Sequence, residues 1–415
     1  MRIVAEQGGH EFLNMGDLAM LQVALKRLRE IWPKSEFSVF TSQPERLKRY
    51  LPEARPLSIY GRHMYHGRGT LLGPLARYAP GVETNLRRLA PHATFQALCL
   101  KKILLGRDTE PLRSYYTAVT RADLVVATGG GYLNDEFPGM VAGARQLSEL
   151  ARLLGKPVAI LGQGLGPAND PFVRADIKAI ADAACLITLR EGQFGPLLLK
   201  DLEARCPDVR VTGDDAVELA YNLRTSHLGD LLGLGVRLAW YSRVDSEGTK
   251  PLVTLLRRLH LSLKADVMAL PISFYPDGED QKAIRQLCSQ ADVRMEPGED
   301  DEPTPEGIIR RAGHCRLVFT GSYHAAVFAL AQGIPALGIA RSQYYRDKFA
   351  GLADVFGQGC GVVCLDDEHF EEAAFQEARR LWSLADDLRP YLLRRAEEQI
   401  AAQRAAYDHL KELAG

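Results

Sequence analysis

Four short apolar stretches, each ending in glycine or charged residues, determine which class of fold is open to this chain. They occupy residues 123–135 (DLVVATGGGYLND), 157–167 (PVAILGQGLGP), 185–191 (CLITLRE) and 209–215 (VRVTGDD). Helical segments lie between them, and this alternation is typical of parallel strands joined by crossover helices. The chain is therefore predicted to be an α/β protein that binds ligands where its strands end.

The length of the chain and a second alternation indicate more than one domain. At 415 residues the chain is too long for one ordinary core. The composition loosens near residue 228, and a second series of strands and helices then begins with a strand predicted at 236–241. We expect an N-terminal domain at 1–228, a C-terminal domain at 229–385 and a tail helix at 386–415, with Pro390 dividing the helical tail.

Residues 316–335 are where the chemistry is expected to converge. An apolar strand from Leu317 to Thr320 runs into a tight turn and then an apolar helix, so His324 falls in the first turn of that helix. Unpaired N–H groups and a partial positive charge make a helix start a natural seat for phosphate or carboxylate. A bound anion would favour a protonated imidazole, which suits an acid catalyst. The plainer alternative is that Ser322 is an ordinary N-cap and His324 a partly buried turn residue.

The first helix offers a second candidate, Asp17. An amphipathic helix is predicted from Leu18, which places Asp17 at its N-cap, and capping alone would explain the residue. The preceding loop, however, carries Asn14 and glycines at positions 8, 9 and 16. This composition lets a ligand approach the backbone closely.

Composition and motifs exclude several classes of protein. Lys and Arg (51) nearly balance Asp and Glu (52), so global charge gives no reason to propose nucleic acid as a partner. The seven scattered cysteines are expected to be reduced core thiols of a cytosolic protein, and no zinc site is expected. No signal peptide or membrane span is predicted. The glycine turns match neither a dinucleotide-binding nor a P-loop motif, which argues against a dehydrogenase or nucleotidase.

Residues 61–113 have a different composition from the rest of the chain. They hold eight Lys or Arg up to residue 107, with Glu83 as the sole acid before Asp108, and leucines and aromatic residues are interleaved. This basic segment could dock an anionic acceptor or a membrane surface. A solvated helical insertion is the plainer interpretation.

Six motifs recur along most of the chain outside residues 61–113. They are NMGDLAM (14–20), TGGGYLND (128–135), GQGLGP (162–167), TLRE (188–191), GDDA (213–216) and GSYHAAVFALAQGIPALGIARSQYYRDKF (321–349). Together and in this order they resemble the polysaccharide pyruvyltransferase family. The resemblance implies two Rossmann-like domains facing a cleft, as in GT-B glycosyltransferases, with the tail helix returning to the first domain.

The resemblance also implies a reaction: transfer of pyruvate from phosphoenolpyruvate to two hydroxyls of a sugar as a ketal, with release of phosphate. No metal or other cofactor is expected. The carbohydrate acceptor would belong to a surface-polysaccharide precursor, could be lipid-linked, and would be met in the cytoplasm or at the inner face of the membrane. By the resemblance Asp17 and His324 are catalytic and Arg190 binds the donor. The other expected substrate-binding residues are Asn14, Gly16, Gly129, Gly130, Gly131, Gln163, Gly164, Ser322, Tyr323, Arg341 and Lys348.

One departure from the family pattern concerns the donor site. Family members commonly carry Arg two positions before the histidine, where this chain has Ser322. The missing charge could be restored by Arg341, Arg346 or Lys348, and we hypothesise Arg341 because it directly follows a predicted strand. A glycosyltransferase with a nucleotide-sugar donor, or a non-catalytic sugar- or anion-binding protein, are the alternatives.

Overall fold

The computed structural model describes residues 1–78, 80–236, 250–276, 280–296 and 303–414, and two parallel sheets organise this part of the chain. The strands of the first sheet are ordered β3-β2-β1-β4-β6-β7-β8, with β5 beside β6. Their bounds are β1 Arg2–Glu6, β2 Glu36–Thr41, β3 Arg55–Ser58, β4 Leu124–Ala127, β5 Gly130–Leu133, β6 Val158–Leu165, β7 Leu186–Leu189 and β8 Val209–Val211.

The second sheet is also parallel throughout and has the order β11-β10-β9-β12-β13-β14. Its buried central strands β9, β12 and β13 are almost entirely apolar, as expected for strands covered on both faces. The bounds are β9 Leu231–Gly235, β10 Val267–Ala269, β11 Met295–Glu296, β12 Cys315–Thr320, β13 Ala336–Ala340 and β14 Cys360–Cys364.

Helices connect successive strands and cover the sheets. Those up to the end of the first sheet are α1 Met15–Ile31, α2 Pro44–Tyr50, α3 Ile59–His66, α4 Pro80–Leu89, α5 Pro91–Leu104, α6 Glu110–Arg121, α7 Pro138–Leu153, α8 Pro171–Ala183, α9 Phe194–Asp201 and α10 Ala216–Asn222. Those that follow are α11 Lys250–Leu263, α12 Asp280–Ala291, α13 Pro305–Gly313, α14 Tyr323–Ala331, α15 Gln343–Phe356, α16 Phe370–Ser383 and α17 Ala385–Ala414.

Each sheet has a point at which the strand order reverses, between β1 and β4 in the first and between β9 and β12 in the second. Ligands of open parallel sheets bind outside the carboxyl ends of the strands at such points. The loop after β1 leads to α1, and the turn after β12 leads to α14. The start of α1 and the start of α14 therefore both lie where the fold places a ligand.

Backbone hydrogen bonds and the last helix connect the two domains. Phe274 N–H donates to the carbonyl of Leu13 (2.8 Å), and Met15 N–H donates to that of Ile272 (2.9 Å). The helix α17 packs on α14 of the second domain and on α1 and α10 of the first. The predicted fold, two Rossmann-like domains with a C-terminal helix packed back on the first, is confirmed. The predicted boundaries at residues 228 and 385 stay predictions.

Several local predictions are wrong. The first helix begins at Met15 and not at Leu18, because the Asn14 side chain accepts the N–H groups of Gly16 and Asp17 and so supplies the cap. Pro390 lies inside α17 and does not divide the tail, which breaks at Leu384. Pro390 has no N–H group and removes one hydrogen bond near the start of this helix of 30 residues. That loss of stability is small compared with the contribution from packing of the apolar face of the helix.

Glycine-rich segments were predicted as turns, but part of each continues as strand. Gly130 and Gly131 belong to β5, and Gln163 and Gly164 belong to β6. A positive φ of 59° at Gly162 shifts the strand register there, so the chain bends without leaving the sheet. The strand predicted at 236–241 lies almost wholly outside the described residues, and the structure has β9 just before it. Most of the described residues between 61 and 113 lie in helices α3 to α6 and in a 3-10 helix at Gly73–Arg77.

Candidate functional site

His324 packs against the first turn of α1. A Cβ added to Gly16 would stand 2.0 Å from Cγ and Nδ1 of the His324 ring, so this position has room for hydrogen only. The contact joins the N-terminus of α1 in the first domain to that of α14 in the second. The two helix starts that the sequence singled out separately are therefore in direct contact.

Asp214 completes a buried charged group with His324 and Arg190. Its Oδ2 lies 3.7 Å from Nε2 of His324 and 3.6 Å from Nη1 of Arg190, and the three side chains are at most 7% exposed. Within the described part of the chain, none of these three atoms has a hydrogen-bond partner. Burial would raise the pKa of Asp214, but the neighbouring His324 and Arg190 outweigh burial and hold that pKa below its ordinary value. Asp214 is therefore an anion at neutral pH.

Arg190 extends from the end of β7 between two glycines. An added Cβ at Gly164 would stand 2.6 Å from Nε of Arg190, and one at Gly131 would stand 2.5 Å from Nη2. The same point at Gly131 lies 2.7 Å from Nζ of Lys348, which comes from α15 in the second domain. Two cationic side chains from opposite domains thus converge beside the backbone of Gly131.

Aromatic rings surround these two cations. Tyr323 lies 4.3 Å below the guanidinium of Arg190, and Tyr344 lies 4.1 Å from Nζ of Lys348, measured to the ring centroids. The Tyr344 hydroxyl donates to the Gly131 carbonyl (2.7 Å) and so ties α15 to the first domain. Burial alone would lower the pKa of Arg190, but Tyr323 and Asp214 raise it, so the guanidinium stays charged. The open space left among these groups is about 20 Å³, room for about one water molecule.

Asp17 lies in the first turn of α1, directly after the glycine that touches His324, and is half-buried. A Cβ at Gly9 would stand 3.6 Å from Oδ2 of Asp17 and 3.8 Å from the hydroxyl of Tyr275. Its negative charge raises the pKa of Arg190, after the larger effects of burial, Tyr323 and Asp214. The carboxylate therefore belongs to the same neighbourhood as the buried charges, at the boundary of the two domains.

Four of the remaining predicted residues, Asn14, Gly129, Gly130 and Gln163, make structural contacts. The side chain of Asn14 caps α1, and Gly129 makes room for Met20. Gly130 makes room for the ring of Tyr132. Gln163 is fully buried, and its amide donates to the Thr128 carbonyl and the Tyr132 hydroxyl.

The two predicted residues that flank α14 and α15 lie at strand ends. Ser322 stands at the N-cap of α14, but its side chain accepts no hydrogen bond there. Arg341 follows β13 and is half-buried before Ser342, the N-cap of α15. Substrate contacts of these residues stay predictions.

The sequence reasoning did not single out Asp214, although the GDDA motif contains it. A signal was present, because two consecutive acids follow β8 at the same sheet edge at which Arg190 follows β7. The second acid, Asp215, accepts from the Tyr407 hydroxyl (3.2 Å) of α17. Burial, with Asp214 as a neighbour, raises the pKa of Asp215 to about 7. The acidic pair thus holds one carboxylate that stays ionised and one that titrates near neutrality.

No group of three or more His, Cys, Asp or Glu among the described residues could hold a metal ion. None of the helices in the described ranges is long and apolar enough to cross a bilayer.

Comparisons with known proteins agree with the geometry. A search of curated proteins gives no match. Among solved structures, the Neisseria meningitidis UDP-GlcNAc 2-epimerase bound to UDP-GlcNAc aligns with a TM-score of 0.55 at 12% identity over 97% of this chain and 99% of that one. The Methanocaldococcus jannaschii UDP-GlcNAc 2-epimerase gives 0.51 at 13% over 91% of each chain, and the spinosyn rhamnosyltransferase 0.51 at 16% over 99% and 100%.

These similarities are below 25% identity and show a shared fold, the two-domain architecture of GT-B glycosyltransferases and epimerases. The family profile is more specific, since it spans both sheets and the groups around His324. It is the profile of the polysaccharide pyruvyl transferases, and it matches residues 14–343. The chain belongs to the polysaccharide pyruvyl transferase family.

Proposed function

We propose that the protein transfers the pyruvyl group of phosphoenolpyruvate to two hydroxyls of a sugar in a polysaccharide precursor, forming a ketal and releasing phosphate. The observation that carries the proposal is the convergence of Arg190 and Lys348 on Gly131, beside the group formed by His324 and Asp214. A donor with a carboxylate and a phosphate needs two cationic anchors, and the fork of a guanidinium suits either anion.

Lys348 is our candidate for the charge that Ser322 does not supply. Its Nζ reaches Gly131 of the other domain, where Nη2 of Arg190 also lies. Binding an anion there would offset the repulsion of two neighbouring cations, so the site gains most from a doubly charged ligand. Arg341, the residue hypothesised from the sequence, remains a second candidate.

In the proposed chemistry His324 donates a proton to the methylene carbon of the donor. The adjacent carbon becomes electrophilic, a sugar hydroxyl attacks it, and Asp17 accepts the proton of that hydroxyl. The second hydroxyl then displaces phosphate from the same carbon, closing the ketal, and its proton leaves with the phosphate. Asp214 stabilises the protonated imidazole as a positioning residue, because its carboxylate lies 3.7 Å from Nε2.

The closed geometry implies movement. Tyr344 and Lys348 of α15 lie over the small space beside Arg190, so we infer that the donor enters when the two domains or α15 move apart. Tyr344 and Lys348 of α15 are the side chains that close this space over Gly131. Entry of the donor would therefore break the hydrogen bond from Tyr344 to the first domain.

The test compares donors and products. Titration calorimetry should show binding of phosphoenolpyruvate, and a panel of glycan acceptors should reveal one that gains the mass of pyruvate less one water while phosphate is released. His324→Ala should retain binding and lose turnover. Binding and consumption of a nucleotide sugar, with no response to phosphoenolpyruvate, would instead identify a glycosyltransferase. Donor binding with equal affinity in His324→Ala and no turnover by either protein with any acceptor would favour a binding protein.

A further inference from the structure

Exposed apolar side chains are concentrated in one part of the N-terminal domain. Of the seventeen large apolar residues that are exposed in the described part of the chain, nine fall between residues 75 and 105. Exposed leucines scattered singly are ordinary, whereas a contiguous group marks a surface that meets something apolar. The nine are Leu75, Tyr78, Val82, Leu86, Leu89, Leu100, Ile103, Leu104 and Leu105.

The helix α5 shows an apolar stripe on its outer side. Residues 93, 96, 97, 100, 103 and 104 recur at helical spacing and are all exposed, and this stripe, which reads Ala, Gln, Ala, Leu, Ile, Leu, carries no charge. The opposite side buries Thr94, Leu98 and Cys99. A surface helix normally turns charged residues to water, so the outer side of α5 lacks the pattern of a solvated helix.

The polar groups of this region face inward and hold it in place. Glu83 accepts the N–H groups of Gly69, Leu71 and Leu72, and Arg87 donates to the carbonyls of Tyr65 and Gly67. Two charged side chains of α4, Glu83 and Arg87, are thus used inside the segment, while the exposed Arg88 pairs with Glu149 of α7. Val82, Leu86 and Leu89 are left on the outside.

The same arrangement holds for α5, where Lys101 donates to the carbonyls of Thr70 and Leu71. The helix α4 contacts both α5 and the short 3-10 helix Gly73–Arg77. The outward apolar residues therefore belong to adjoining elements with a built internal framework.

Positive charge accompanies the apolar surface. Residues 61–107 hold eight Lys or Arg and one acid, Glu83. Arg68, Arg77 and Arg107 are exposed, and they form no ion pair with any carboxylate of the described residues. Arginines beside leucines suit an anionic phospholipid surface, where the cation meets headgroups while the apolar side chain enters the acyl boundary. A second copy of this chain would bring the same positive charge against itself.

We propose that residues 75–105 dock the protein on an anionic phospholipid bilayer. The segment is connected to the first sheet through α3, because Arg87 donates to the carbonyl of Tyr65 in α3, and Arg62 of the same helix pairs with Glu6 at the end of β1. This inference is independent of which donor the enzyme uses.

The experiment is sedimentation of the full-length protein with phosphatidylcholine vesicles, with and without phosphatidylglycerol, in the absence of donor. Binding is expected only with the anionic lipid and should weaken as salt rises. L89E/L104E is expected to lower the partition coefficient by about tenfold or more, because two insertable leucines become anions. The control is Leu261→Glu, which changes a leucine of α11 in the other domain that is also largely exposed, and this variant should bind like the parent protein.

A second variant tests the charges separately. R77E/R107E should lose the preference for anionic vesicles even if L89E/L104E folds poorly, which circular dichroism would show. Unchanged binding of both double variants would overturn the proposal. So would a concentration-dependent dimer in analytical ultracentrifugation that L89E/L104E dissociates, together with no vesicle binding, because the second copy would then be the occupant.

Discussion

Nε2 of His324 lies 3.7 Å from Oδ2 of Asp214, although one residue belongs to the second domain and the other to the first. The pair is buried, and the carboxylate lies within ion-pair distance of the imidazole. A substitution that removes the charge of Asp214 and keeps its shape would show what this carboxylate contributes to activity.

Asp214→Asn should lower kcat by about 100-fold while the KM for the donor changes little, because the imidazolium loses its negative neighbour. The pKa of Asp214 is held low, so the carboxylate remains charged throughout the neutral range and is absent only in the variant. Asp214→Glu, which keeps the negative charge, should recover part of the lost kcat. An equal loss of kcat in Asp214→Asn and Asp214→Glu would indicate a merely structural role.

Gly16→Ala should separate the two helix starts. The added methyl would stand 2.0 Å from the ring of His324, and relief requires the ring or α1 to move. We expect activity to fall by at least about 100-fold and the free energy of unfolding by about 1–3 kcal/mol. Gly139→Ala is the matched control, since nothing lies within 4 Å of a methyl at that position of α7. Equal activity of both variants would show that the contact has no catalytic role.

Lys348→Ala should raise the Kd for phosphoenolpyruvate by about 10- to 100-fold, the worth of a charge-assisted hydrogen bond. Arg341→Ala tests the residue hypothesised from the sequence, and calorimetry on both variants ranks them. Lys200→Ala, at the exposed end of α9, serves as the control for loss of one positive charge. A larger effect of Arg341→Ala than of Lys348→Ala would reverse the assignment made here.

Asp215 should make stability depend on pH. Burial raises its pKa from an ordinary 3.8 to about 7, so between these values the folded protein binds a proton that the unfolded chain releases. The free energy of unfolding should fall by roughly 2–4 kcal/mol as pH rises from 4 to 7, and the contribution should level off above 7. In Asp215→Asn this slope should disappear. Denaturant unfolding at a series of pH values provides the measurement, and an unchanged slope would contradict the buried neutral carboxyl.

The alternation of strands and helices sufficed to predict the fold, because parallel strands that are buried on both faces appear in the sequence as short continuous apolar stretches. Local details failed where a side chain or tertiary packing decided the outcome. The amide of Asn14 displaced Asp17 as the cap, and the positive φ of Gly162 kept a predicted turn within β6. The position of His324 was correctly predicted, because the turn and the apolar helix after β12 are local features.

The arrangement around Asp214 could not be predicted from local patterns. Its contact with His324 depends on the relative orientation of the two domains. The spacing of residues within one domain does not predict that orientation. The same holds for Lys348, whose Nζ reaches Gly131 across the domain boundary. Residue types at strand ends therefore indicate candidates, and the facing of the domains decides which of them meet.

The last helix limits how far the entrance can widen. Near its start, Arg389 donates to the carbonyl of Gln332 (3.0 Å) in the second domain, and past its middle Gln403 donates to that of Asp214 (2.7 Å) in the first. Because these two hydrogen bonds attach α17 to both domains, the domains can rotate about the helix axis, whereas α17 opposes their separation along that axis. The room for an incoming ligand then depends on the angle between the two domains, which α17 limits more than the residues beside Gly131 do.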